Sequence, residues 1–269
     1  MNAEAQQQIV EQLKRSAKYA RVCEAALRRV AAWAMERAEN PADAVKRAKR
    51  KLHQVCGAFC DQRDLGQIAA MVGTVTAEMD EAAVREVCAE AMDLQESTRE
   101  RLGVLGELYG RVFQITGQPR SLCDVGCGLN PLAWPWMGLS REARYVAMDI
   151  DCGLVGVVGE FFRRRGICGE ARAQDVLVER PEERFDVVLM MKLLAGLEQQ
   201  RPGSGFELLR EMRFGWAVVS YPTRSLGGRN VGMESSYGEA MRGFLGETGW
   251  AAEEFVAGTE LIFVIRRMS

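Results

Sequence analysis

From Glu4 to about Gly117, apolar residues recur at three- and four-residue spacing, as in Val22, Ala26, Leu27, Val30, Trp33 and Ala34, with few β-branched runs. That period predicts a succession of amphipathic helices. Asn40-Pro41 ends one helix and starts the next, because the Asn side chain can cap and a proline at the first helical position gives up no needed N–H. The helix that follows spreads Lys46, Arg47, Lys49, Arg50 and Lys51 over a broad arc, while Ala44, Val45, Ala48, Leu52 and Val55 supply an apolar face. Ser97-Thr98-Arg99-Glu100 has the S-x-x-E form, which predicts a helix beginning near Ser97 and running through Leu102, Leu105, Leu108 and Val112. The boundary between a helical unit, 1–94, and a second unit, 95–269, falls just before it.

After Gln118-Pro119 the grammar changes to short apolar runs alternating with helical stretches. Strands are predicted at 121–125, 145–150, 171–174, 185–191, 216–221 and 261–266. Such alternation reads as an α/β fold, a doubly wound and mainly parallel sheet. No internal repeat or low-complexity segment interrupts it.

A net charge of −2 hides an asymmetry: residues 1–63 hold 13 Lys/Arg against 7 Asp/Glu, whereas the remainder is acidic. A basic N-terminal part on an acidic body suggests a docking surface for a polyanion, a solvated helical face being the plainer alternative. The eight cysteines include two C-x-x-x-C pairs, Cys56/Cys60 and Cys123/Cys127. Neither has the usual zinc spacing, and His53 is the one histidine, so structural thiols and no metal are expected. The apolar stretches are too short to span a bilayer, and the first twenty residues lack the form of a secretory leader, so a cytoplasmic protein is expected. A monomer is the expected state.

The most informative segment is Leu122-Cys123-Asp124-Val125-Gly126-Cys127-Gly128-Leu129-Asn130-Pro131, an apolar strand ending in an acid and a Gly-x-Gly turn. Ligands of doubly wound sheets lie beyond the C-terminal ends of the strands, where glycine lets the backbone approach them closely. A dinucleotide fingerprint would have a third glycine where Pro131 stands, and no P-loop motif occurs. The next strand ends in Asp149, about twenty residues on, where a carboxylate accepts both hydroxyls of a ribose. Another ends in Gln174-Asp175-Val176, with Asp175 placed to meet an adenine amino group while Ile150 and Val176 sandwich the ring. Glycine turn, ribose acid and adenine acid in that order describe S-adenosyl-L-methionine better than a dinucleotide, although acids that merely cap loops would leave the same residues. Upstream, Arg101 is a candidate for bidentate binding of the methionine carboxylate.

At this point the chain resembles a specific family, the aminoglycoside-resistance 16S rRNA (guanine(1405)-N(7))-methyltransferases. The resemblance is carried by Leu52-His53-x-x-Cys56-Gly57-Ala58-Phe59, Ser97-Thr98-x-Glu100-Arg101-Leu102, Gly126-Cys127-Gly128-Leu129-Asn130-Pro131-Leu132, Asp149-Ile150, Gln174-Asp175-Val176-Leu177 and Lys192-Leu193-Leu194. It continues in Tyr221-Pro222-Thr223-Arg224-Ser225-Leu226-Gly227-Gly228-Arg229, Gly232-Met233-Glu234 and Gly258-Thr259-Glu260-Leu261. It implies a class I, Rossmann-like S-adenosylmethionine-dependent methyltransferase fold preceded by an all-α domain that docks on 16S rRNA in the assembled 30S subunit. It further implies cofactor contacts at Gln95, Glu96, Ser97, Arg101, Gly126, Asp149, Asp175, Val176 and Met191, and RNA contacts on the basic helix.

Guanine N7 carries a lone pair and no proton, so it attacks a sulfonium methyl without a general base, and the protein need only position and desolvate. No Pro-Cys pair suited to cytosine C5 chemistry occurs, and Met191-Lys192-Leu193-Leu194 stands where an exocyclic-amine methyltransferase carries an Asn/Asp-Pro-Pro-aromatic run. Lys192, Arg224 and Arg229 are therefore the candidates for holding the target nucleotide, with Gly227, Gly228 and Gly232 letting the intervening loop close. A methyltransferase of the same fold acting on a small molecule or a protein, its basic helices serving only as a lid, is the competing expectation.

Overall fold

The computed structural model describes residues 3–56, 62–223 and 233–267. Five helices come first: α1 (Ala3–Lys14), α2 (Glu24–Met35), α3 (Pro41–Cys56), α4 (Gln62–Val72) and α5 (Glu81–Asp93). The Asn40 side chain accepts from the Asp43 N–H at 3.0 Å, so the start of α3 is capped where the sequence places it. Helices α1 to α3 enclose a core of their own around Leu13, Leu27, Val30, Ala48 and Leu52. Helices α4 and α5 instead pack with the sheet, through Ile68, Val72, Val84, Cys88 and Met92.

The connection to the sheet differs from the expected single helix. A short α6 (Glu96–Arg99) is followed by a 3-10 turn at Leu102–Val104 and then by α7 (Leu105–Thr116). Ser97 is not the cap. Gln95 takes that position with extended backbone, and the Gln95 Oε1 accepts instead from the Leu129 N–H at 3.2 Å. The helix breaks because Arg101 is drawn into a buried polar cluster, while Glu100, the expected partner of a capping box, pairs with Lys192.

Seven strands follow: β1 (Ser121–Val125), β2 (Arg144–Asp149), β3 (Gly169–Ala173), β4 (Arg184–Met191), β5 (Arg213–Pro222), β6 (Ala251–Ala257) and β7 (Glu260–Arg266). Between them lie α8 (Trp134–Met137), α9 (Cys152–Arg165), α10 (Leu193–Gln200), α11 (Ser204–Glu211) and α12 (Met233–Thr248). The order is β3-β2-β1-β4-β5-β7-β6, parallel from β1 to β5, with β7 antiparallel to both its neighbours. Six strands stand where the apolar runs predict them. The seventh, β6, is an edge strand that begins Ala-Ala-Glu-Glu with its first four residues exposed, so over that half it carries neither β-forming residues nor an alternating pattern. Strand β1 turns one way to β2 and the other way to β4, and this reversal opens a crevice at the C-terminal ends of the strands.

Candidate functional site

The tips of β1, β2, β3 and β4 close on one cavity at that crevice. Gly126, in the turn after β1, has φ +64°, and a Cβ there would stand 2.7 Å from Leu193 Cδ1. Gly128 has φ +50°, with the Gln95 side chain 3.2 Å from where a Cβ would be. Only glycine keeps this turn open, and that is the cradle a ligand pressed against backbone requires.

Asp149 ends β2, where its carboxylate accepts from the Gly128 N–H and the Asp151 N–H, both at 2.9 Å. Burial pushes this carboxyl above the ordinary carboxylate range, and the two backbone amides oppose that rise. Asp175, 3% exposed, follows β3 and accepts from the Leu177 N–H at 3.0 Å. Its other oxygen forms an ion pair at 2.7 Å with Arg29 of α2, a partner 146 residues away. Ile150 and Val176 line the same cavity beside these acids.

Nine of the ten candidate cofactor residues border it: Gln95, Ser97, Arg101, Gly126, Asp149, Ile150, Asp175, Val176 and Met191. Glu96 does not, being exposed at the start of α6. Arg101 departs from its expected setting as a side chain one turn into a helix. It is 4% exposed, donates from Nε to Glu260 Oε1 at 2.5 Å and from Nη1 to Asn130 Oδ1 at 3.1 Å. Asn130 also accepts from the Tyr109 hydroxyl and donates to Asp124, which receives the Tyr145 hydroxyl as well. Asp124 is fully buried, and this burial pushes its carboxyl up to about 7. Glu260 is also buried, yet its carboxyl lies below the usual range, because the cations of Arg101 and Lys192 outweigh the burial that opposes them.

Lys192 follows β4 with φ +55°, the one non-glycine residue with positive φ among the described residues. Its N–H donates to the Ser220 hydroxyl at 2.9 Å, and its ammonium pairs with Glu100 and, at 3.3 Å, with Glu260. Non-glycine residues held in this conformation concentrate at functional sites. Arg224 and Arg229, with Gly227, Gly228 and Gly232, lie outside the described residues.

On α3, Lys46, Lys49 and Arg50 are exposed, whereas Arg47 is tied to Asp43 at 2.6 Å. Lys51 lies over the Trp33 ring and donates to the Gln199 carbonyl, and burial, with Arg29 and Arg37 nearby, depresses its ammonium. Cys123 and Cys127 are buried thiols on different apolar clusters of the sheet, both raised by burial, and Cys56 and Cys60 lie outside the described side chains. The residues missed by sequence reasoning are Arg29, Gln200 and Glu260, each brought in from a distant element. Arg29 and Gln200 stand on helices and Glu260 opens a strand, and no local pattern at any of these places signals what the side chain faces.

Residues 15–264 match the family described as ribosomal RNA methyltransferase (FmrO). The chain is 39% identical, over 97% of its length and 96% of the relative's, to the 16S rRNA (guanine(1405)-N(7))-methyltransferase of Micromonospora echinospora. It is 34% identical, over 94% of each chain, to the enzyme of that name from Serratia marcescens. The crystal structure of 16S rRNA methyltransferase RmtF in complex with S-adenosyl-L-homocysteine superposes with a TM-score of 0.85 at 36% identity, covering 98% of this chain and 99% of that one. The 16S rRNA methylase RmtB gives 0.84 at 30% identity, covering 98% of both.

Proposed function

Because the chain belongs to the FmrO family of ribosomal RNA methyltransferases, we propose that it methylates N7 of guanine 1405, the decoding-site guanine of 16S rRNA, in the assembled 30S subunit, and so confers aminoglycoside resistance. The methyl donor is S-adenosyl-L-methionine, whose sulfonium supplies an activated methyl group when bound. The observation that carries this reading is the convergence of the β1, β2 and β3 tips on one cavity with a glycine cradle at one end and two acids along it.

In this reading Asp149 takes the ribose hydroxyls and Asp175 the adenine amino group, with Ile150 and Val176 against the ring. Arg101, held by Glu260 and Asn130, faces the methionine carboxylate. Gln95, Ser97, Gly126 and Met191 complete the wall. The groups present suit the ligand: acids to accept from the sugar and amine, a guanidinium to donate to the carboxylate, and apolar surface at the base.

No residue needs to remove a proton, because guanine N7 has none to lose. What the chain must do is hold the base in line with the methyl and keep water out. Lys192, Arg224 and Arg229 take the target nucleotide and its phosphates, and turning the base out of its stack costs a few kcal/mol that docking contacts offset. Docking falls to the N-terminal unit, 1–94, through the α3 cations Lys46, Arg47, Lys49, Arg50 and Lys51, and methyl transfer to 95–269. The protein works in the cytoplasm, where ribosomes are.

The test is primer extension on 16S RNA from 30S particles incubated with the protein and donor, after borohydride and aniline treatment, which cleaves at N7-methylguanine. A new stop beside the decoding-site guanine is expected with the wild type and a much weaker one with Asp149→Ala. Labelled methyl appearing in a small molecule or protein, with no such stop, would overturn the reading.

A further inference from the structure

The adenine end of the cavity is closed by an element from the other end of the chain. Helix α2 is latched to the tip of β2: the Cys23 N–H donates to the Ile150 carbonyl, the Cys152 N–H to the Arg21 carbonyl, both at 2.8 Å, and Arg21 pairs with Asp151 at 3.0 Å. This latch fixes the azimuth of α2, and with it Arg29, whose Nε reaches Asp175 Oδ2 at 2.7 Å and whose Nη2 reaches Gln200 Oε1 at 2.9 Å. Both Arg29 and Gln200 line the cavity.

A carboxylate 3% exposed, alone in an apolar wall, carries a large desolvation penalty unless a cation and hydrogen bonds compensate it. Arg29 provides that cation, and the Leu177 N–H occupies one lone pair of the other oxygen. The carboxylate is thereby held in a single orientation, with both oxygens accepting hydrogen bonds. An acceptor fixed beside the ring welcomes an amino group and repels a carbonyl at the same position. We infer that Arg29, from the N-terminal helical unit, is a specificity-determining residue of the cofactor site, holding Asp175 so that it selects the adenine amino group.

The inference rests on the reading of Asp175 given above, and two ligands separate the two claims. Calorimetry would compare S-adenosylhomocysteine with S-inosylhomocysteine, which carries a carbonyl where adenine has its amino group. The wild type is expected to prefer the adenosyl ligand by more than about a hundredfold, since a buried polar group is left opposed in the other complex. In Arg29→Met the preference falls about tenfold or more, the worth of one charge-assisted hydrogen bond. Arg29→Lys, which keeps the charge, restores part of it and carries the test should the Met variant fail to fold. Asp175→Asn abolishes the preference. If Arg29→Met and Arg29→Lys weaken both ligands equally while Asp175→Asn still abolishes the preference, Arg29 is merely structural and the inference falls alone. If Asp175→Asn also leaves the preference intact, the reading of Asp175 falls with it.

Discussion

Asp124 sits at the hinge between the sheet and the cofactor cavity with one oxygen bonded to Asn130 at 2.8 Å and Tyr145 at 2.9 Å and the other without a partner. Through Asn130 it touches Arg101, so the same chain of bonds that buries this acid also aims the guanidinium. Its folded carboxyl, raised from 3.8 to about 7, binds a proton more tightly than in the unfolded chain. The stability this confers is fully present below about pH 4 and is lost as pH rises through about 7. Asp124→Asn removes the titration. Its melting temperature relative to the wild type is therefore expected to climb between these limits, as followed by circular dichroism in a pH series. A difference that stays flat across that range would mean the acid is ionised throughout. The strand end at Asp124 was legible in sequence, but the proton it holds comes from complete burial in the folded chain, which the hydrogen bonds from Asn130 and Tyr145 oppose.

The glycine turn after β1 shows how one element's geometry depends on another's side chain. Leu193, at the start of α10, occupies the space beside Gly126, so Gly126→Ala meets both an unfavourable positive φ and a 2.7 Å contact. A loss of about 1–3 kcal/mol is expected, with weaker cofactor binding because the turn must shift. Gly156, exposed inside α9 with open space where a Cβ would go, provides the contrast. Gly156→Ala is expected to stabilise by roughly 0.5–1 kcal/mol. Chemical denaturation of both variants checks the pair. Elements of this protein were legible wherever burial followed a period, as in the strands β1 to β5 and β7. They were not legible where local signals failed, as at Ser97, which lies inside α6 with Gln95 in the cap position, and at the edge strand β6.

Across the whole molecule, the basic N-terminal unit is bonded to the strand tips it stands over, so its exposed cations are presented in fixed relation to the cavity. Lys46, Lys49 and Arg50 point to solvent, whereas Arg47 and Lys51 are engaged within the protein. Charge reversal at the first three is expected to weaken 30S binding and to flatten its dependence on salt. Each lost phosphate contact lowers the slope of log K against log salt by about 0.7–0.9, because fewer counterions are released. Lys51→Glu should instead lower thermal stability through loss of its contact with Trp33. Filter binding across a salt series, alongside melts, separates the two classes, and unaltered binding by the triple variant would remove the docking role of α3.

Sequence alone determined the strands β1 to β5 and β7, the glycine turn and the acids at Asp149 and Asp175, because periodic burial and turn chemistry act over a few residues. Only the tertiary structure decided that Arg29 meets Asp175 and that Glu260 joins Arg101 to Lys192. Those pairs are 146 and 159 residues apart for Arg29 and for Arg101, and no local pattern encodes such a meeting. It arises when packing of apolar faces brings distant helices and strands together, and the buried charges then have to find one another.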